Sequence, residues 1–148
     1  MGNFTIPCLL GKYGKTFRKR EGDGKSPRGR WLLTQLYFRP DRILGLKSAR
    51  RLKQCDGWCD APHDKAYNHL VRLPFAASHE KLWRDDHTYD ILATTNHNQR
   101  PRFRGRGSAI FLHLWRSGAT NTEGCISLRR RDMLIVLSRL RGKTYLVI

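Results

Sequence analysis

The sequence predicts a mainly β protein of one domain, and three observations carry that prediction. Its apolar runs are short and separated by turn-forming residues, the pattern of strands rather than of long helices. Only one stretch repeats its apolar residues at helical spacing. The chain has 148 residues, 39% of them hydrophobic, enough to bury one core and too apolar for intrinsic disorder.

In chain order, "FTIPCLL" (Phe4–Leu10) reads as the first strand. "REGDGKSPRGR" follows, dense in Gly, Asp, Ser and Pro, as a turn-rich loop requires. "RWLLTQLYFR" (Arg30–Arg39) is the second strand. "CDGWCDAPHDKAYN" (Cys55–Asn68) is too punctuated for a regular element and reads as irregular. "YDILATT" (Tyr89–Thr95), "SAIFLHLW" (Ser108–Trp115) and "KTYLVI" (Lys143–Ile148) complete the strands. The helix rests on Met133, Leu134, Val136, Leu137 and Leu140, with Asp132 placed to cap it and Gly142 to end it, near Asp132–Arg141. There is no internal repeat, so residues 1–148 form one domain.

Lys plus Arg number 29 against 12 Asp plus Glu, a net charge of +17. Such a surface selects a polyanionic partner: nucleic acid, anionic lipid or an anionic cell-wall polymer. Four cysteines (Cys8, Cys55, Cys59, Cys125) do not make a disulfide framework in a chain this large, and spacing leaves a Cys55–Cys59 pairing open. No segment approaches the roughly 20 apolar residues of a membrane span. Met1–Gly11 shows no basic region followed by an apolar one, so no signal peptide is read there.

The chemistry gathers late in the chain. In "NTEGCISL" (Asn121–Leu128), Cys125 follows Gly124, and His113 lies in the preceding apolar run. A thiol attacks as thiolate, and a neighbouring histidine lowers the cost of forming one. The intervening "RSGATNTEG" is composed like a hairpin-like return that brings the two together. Gly124 lets backbone approach a substrate closely, and the amides around Gly124–Cys125 are placed to donate to a developing oxyanion. Judged by pattern alone, a buried structural thiol and a core histidine are the commoner explanation.

The segment "GSAIFLHLWRSGATNTEGCISL" resembles the active-site segment of the L,D-transpeptidase catalytic domain, the YkuD-type family. That family carries a histidine, a loop, then Ser/Thr–His–Gly–Cys; here His113, Thr122, Gly124 and Cys125 match. "REGDGKSPRG" is similar to the family's Gly-Asp-rich turn, and "GWCDAPHDKAYN", "LPFAASHEKLWRDDHTYD" and the final helix resemble a short proteobacterial branch, so the likeness runs from about Phe4 to Ile148. Three features depart from the pattern: Glu123 replaces the usual histidine, the His-to-Cys loop is short, and Ser127 stands where Asn or Arg often follows.

The resemblance implies a β-sandwich-like fold with a few short helices, and a cysteine transpeptidase that joins peptidoglycan stem peptides through a thioester on Cys125. His113 would be the base, oriented by a backbone carbonyl. The crosslink would be of the 3-3 type or, as in some short members, from L-Ala at position one to diaminopimelate; water as acceptor would give L,D-carboxypeptidase activity. Thr122, Glu123, His79, Arg84 and Ser127 are the expected substrate contacts, with Arg84 for a stem-peptide carboxylate and the acids of "SHEKLWRDD" for an acceptor amine, against a plain salt-bridged loop. The family implies a periplasmic or envelope location, a monomer, no cofactor and no metal.

The rival reading is a small basic nucleic-acid-binding module stapled by zinc through Cys55, Cys59 and His63. Asp56-Gly57 and Pro62 break the helix that would align those three, and loop packing around Trp58 accounts for them better. "RPRFRGRG" (Arg100–Gly107) and "RRR" (Arg129–Arg131) are read as basic faces that attract an anionic wall rather than as phosphate grips, so no nucleic-acid partner is expected.

Overall fold

The longest strand, β3 (Arg30–Phe38), runs through the middle of the molecule because both of its faces find apolar partners. The computed structural model describes residues 4–148; Met1–Asn3, the start of the segment read above for a signal peptide, lie outside the described residues. Before β3, the turn-rich loop is clamped by a two-residue ribbon in which β1 (Lys15–Thr16) pairs with β2 (Ser26–Pro27). Around β3 a six-stranded sheet assembles from β4 (Arg50–Arg51), β8 (Ile91–Thr95), β9 (Phe111–Leu114), β10 (Ile126–Leu128) and β11 (Tyr145–Val147). The order is β10-β9-β8-β3-β11, with β4 also paired to β3.

A second, three-stranded sheet is built from β5 (Asp56–Cys59) flanked by β6 (Leu70–Arg72) and β7 (His79–Lys81). It packs over one face of the large sheet, and the single helix among the described residues, α1 (Arg130–Arg139), packs over the other. The result is a mainly β, sandwich-like domain.

Strand alternation sorts the large sheet into two faces. Pairing Phe38 with Ile91 and Ala93 with Leu112 puts these residues on the α1 face with Leu114, Ile126 and Leu128. Met133 is the fully buried contact that α1 makes with them. The other face carries Tyr37, Leu92 and Phe111, which meet Trp58 of β5 and Leu82 just after β7. Trp58 stands edge-on to Phe111 at 5.1 Å, and burying two aromatic rings in this contact anchors the small sheet.

Four sequence expectations are corrected. Phe4–Leu10 forms no strand: Pro7 supplies no amide donor, and the segment is tied only at its end, where Leu9 bridges Ser127 and the Leu10 carbonyl accepts the Thr122 amide. Cys55–Asn68 is not wholly irregular, because Gly57 lacks a Cβ where Leu73 and the Glu80 carbonyl close in, so β5 is paired on both sides. β9 and β10 run parallel, so "RSGATNTEG" is a crossover and not a hairpin. The helix starts earlier than expected, with Arg129 as N-cap and no side-chain cap; Asp132 sits inside the first turn, where its charge complements the helix dipole.

Candidate active site

Register, not sequence distance, brings the thiol and the imidazole together. His113 is paired with Leu92 on one side and with Ser127 on the other. Since Leu112 and Ile126 face α1, His113 and Cys125 both project from the opposite face, towards the small sheet. Cys125 immediately precedes β10, and its sulfur accepts the Phe111 amide at 3.4 Å. The nucleophile candidate therefore sits at the open end of the β9–β10 pair, diagonal to His113 on one surface.

His113 is buried, and its Nδ1 lies 2.8 Å from the Leu114 carbonyl oxygen. That bond fixes the tautomer with the proton on Nδ1 and leaves Nε2 as a free base. Burial holds the imidazole at a pKa of about 4, so it is neutral at physiological pH. The Cys125 thiol is pushed up to about 12, first by burial and then by the charge of Glu80. The Phe111 amide and Lys19 pull the other way without reversing this. The resting pair is a neutral thiol and a neutral imidazole on one face of the sheet. In that state Sγ donates to the Ala109 carbonyl at 3.0 Å.

The turn before Cys125 is held from behind. Thr122 Oγ1 accepts the Gly124 amide at 3.1 Å and donates to the Cys125 carbonyl at 2.6 Å. Buried Ser26, from the Gly-Asp-rich turn, donates to the Gly124 carbonyl at 2.8 Å and accepts the Gly11 amide. Gly124 has φ 141°, and a Cβ there would stand 2.9 Å from the Lys25 carbonyl oxygen. Glycine is required for this close approach. With the Gly124 amide engaged by Thr122, the Cys125 amide is the one of the two left to donate: among the described residues no side chain or loop carbonyl takes it.

The other sequence-nominated residues divide. Glu123 points outward, its carboxylate 78% exposed and paired with Lys12 at 3.0 Å. It thus stands apart from the sulfur. Ser127 is 1% exposed, its backbone bridged to Leu9, and offers substrate no surface. His79 lies in β7 with Nδ1 on the Ala77 carbonyl, beside a cleft of about 480 Å³ that it lines with Cys55 and Phe75. Arg84 grips Asp86 through two bonds of 2.7 and 3.0 Å, which holds that carboxyl well below the usual carboxylate range.

Three residues that sequence reasoning did not assign complete the wall. Tyr89 stands edge-on to His113 at 5.4 Å and to Phe111 at 5.9 Å, and its hydroxyl donates to Glu80 Oε1 at 2.6 Å. Lys19 is 6% exposed, bonded to Asp23 at 2.5 Å. Asn68, 2% exposed, takes the Trp58 indole and the Ala109 amide on one oxygen. Glu80 is among the acids read for an acceptor amine, Tyr89 was visible only as a member of a strand, and nothing in one sequence marks Lys19 or Asn68 for burial.

All four cysteines are free, and Cys59 is buried in β5. Among the described residues no group of three His, Cys, Asp or Glu side chains is arranged for a metal, so Cys55, Cys59 and His63 form no staple. Arg102, in the basic stretch, donates to the Tyr67 and Lys65 carbonyls and contacts His69, so it is a strut as well as a charge. Among the described residues no helix is long and apolar enough to cross a membrane.

The L,D-transpeptidase catalytic domain, YkuD, matches residues 2–148. The chain belongs to that family. No curated protein and no solved structure matches it.

Proposed function

We propose that the protein is a cysteine L,D-transpeptidase that crosslinks peptidoglycan stem peptides through an acyl-enzyme on Cys125. The observation that carries this reading is the placement of Cys125 and His113 on one sheet face, with His113 oriented by the Leu114 carbonyl, in a chain of the YkuD family.

A stem-peptide donor meets a neutral thiol. As Sγ attacks the donor carbonyl, His113 Nε2 takes its proton and the bond to Ala109 is given up. The oxyanion is received by the Cys125 amide. His113 then protonates the leaving amine, and the thioester remains. An acceptor amine attacks the thioester, His113 takes its proton, and the sulfur leaves and is reprotonated. Water in place of the amine makes the enzyme a carboxypeptidase. Resemblance to the short branch supports either a 3-3 crosslink or an L-Ala-to-diaminopimelate crosslink, and the net charge of +17 supports work beside an anionic envelope polymer, in the periplasm.

Mass spectrometry of defined muropeptides incubated with the pure protein tests this. The expected result is a stoichiometric adduct on Cys125 and crosslinked product, both lost in Cys125→Ala. Crosslinking that survives Cys125→Ala would overturn the assignment; the mass of the product distinguishes the two crosslinks.

A further inference from the structure

Glu80 is an unusual neighbour for a cysteine that must ionise. It lies in β7 opposite Trp58 of β5, so it rises from the small sheet on the side that packs against Phe111 and Tyr89. Its carboxylate is one of the charges that oppose ionisation of Cys125. A group serving only the fold would be better neutral there.

Its contacts leave it open. Tyr89 donates to Oε1 at 2.6 Å, and the nearest cation, Arg84 Nη1, is 3.8 Å from the same oxygen. Arg84 is already chelated by Asp86, so Glu80 is not needed to neutralise it. Among the described residues no hydrogen bond falls on Oε2, and the side chain is 30% exposed. The other acids are unsuited: Asp86 is held by Arg84 and Thr88, Asp85 is exposed, and Glu123, in the turn before Cys125, is turned out to Lys12. Tyr89, which holds Glu80, also stands edge-on to His113, so the carboxylate and the base are set by one ring.

Resting on the transpeptidase reading, we propose that Glu80 is the acceptor subsite, its free carboxylate oxygen binding the primary ammonium of the incoming stem peptide. A carboxylate in a partly desolvated wall is the complement of an alkylammonium. Glu80 accepts one proton from the bound ammonium. The neutral amine then forms the C–N bond, the C–S bond breaks, the second proton passes through His113 to the sulfur, and the proton on Glu80 leaves to solvent. The balance is thioester plus ammonium to amide, thiol and one released proton. A water molecule has no charge to offer this site, so Glu80 selects amine over hydrolysis.

The test uses the whole protein acylated with a stem-peptide donor and chased with a diaminopimelate-containing acceptor peptide, with water, or with hydroxylamine, which is neutral at pH 7. Glu80→Gln should form the thioester at least as fast as wild type and react normally with hydroxylamine. Its acceptor KM should rise at least tenfold, and products should shift towards hydrolysis. Glu80→Asp, which keeps the charge, should restore part of the acceptor affinity and guards against a variant that folds poorly. An unchanged acceptor KM in Glu80→Gln overturns the proposal. So does an equal loss of acylation, hydroxylamine reaction and crosslinking, which would make Glu80 a prop for Tyr89. If the wild-type protein forms no thioester at all, the transpeptidase reading fails first and this proposal with it.

Discussion

Cys125 Sγ donates its proton to the carbonyl oxygen of Ala109 at 3.0 Å. A thiolate cannot make that bond, so the free protein holds Cys125 as a thiol, in accord with a pKa pushed up to about 12. Sequence reasoning expects the neighbouring histidine to favour thiolate; burial of both groups outweighs it.

Alkylation of Cys125 in the free protein should therefore be slow at neutral pH. Its rate should climb roughly tenfold per pH unit from 7 to 10 without levelling, because only the thiolate reacts. Limiting iodoacetamide followed by peptide mapping measures this, with the exposed Cys8 as internal reference. A plateau below pH 9 would mean that the thiolate is preformed.

His113 should also write itself into the acid limb of stability. Its folded pKa of about 4 lies below the ordinary value of 6.5, so the unfolded chain binds the proton better. The stabilisation is complete above pH 6.5 and is lost as pH falls from 6.5 towards 4, with a magnitude of about 3 kcal/mol at about 1.4 kcal/mol per unit. Urea unfolding at pH 7 and pH 4 should show that loss in wild type, and a flatter dependence in His113→Gln. Equal slopes would place the proton elsewhere.

Much of this site was legible from residues, and the remainder was not for identifiable reasons. Cys125, Gly124 and His113 stand out through their match to the family motif; by pattern alone a thiol and a histidine in apolar runs read more readily as core residues. The strands β3, β8 and β9 were visible because their apolar runs are continuous. β5 was missed because Asp56 and Gly57 look like a turn, and only pairing from β6 and β7 overrides that. Lys19 looks like one more surface charge until Asp23 is seen to bury it. The parallel pairing of β9 and β10 depends on where β10 finds an open edge, which composition does not encode.

Gly124→Ala should cost more than the usual glycine replacement. At φ 141° an L residue is strained, and the new Cβ would stand 2.9 Å from the Lys25 carbonyl oxygen, a backbone atom that cannot rotate aside. The turn must move, and with it the Cys125 amide and sulfur. A loss of about 2 kcal/mol in unfolding free energy is expected. Donor acylation at a temperature where the variant is folded should fall at least tenfold. Wild-type acylation in a folded Gly124→Ala protein would show that the turn is not part of the site.

Asn68 joins the small sheet to the Ala109 backbone that holds Cys125. Its Oδ1 accepts from Trp58 Nε1 at 2.9 Å and from the Ala109 amide at 3.1 Å, and its Nδ2 donates to the His97 and Asn98 carbonyls at 3.1 and 2.9 Å. Ala109 is thereby held at φ 51°, the left-handed conformation that turns its carbonyl to Cys125. Asn68→Ala strands these buried partners and puts alanine at φ 58°, so a loss of about 3 kcal/mol is expected. Ala109→Gly, which relieves only the left-handed strain, should change stability by no more than about 1 kcal/mol. The two variants also separate packing from chemistry. If Asn68 acts by aiming the Ala109 carbonyl, Asn68→Ala should alter the pH profile of Cys125 alkylation even under conditions where it is fully folded, because the thiol has lost its acceptor. A folded Asn68→Ala protein with the wild-type profile would confine Asn68 to holding the sheets together.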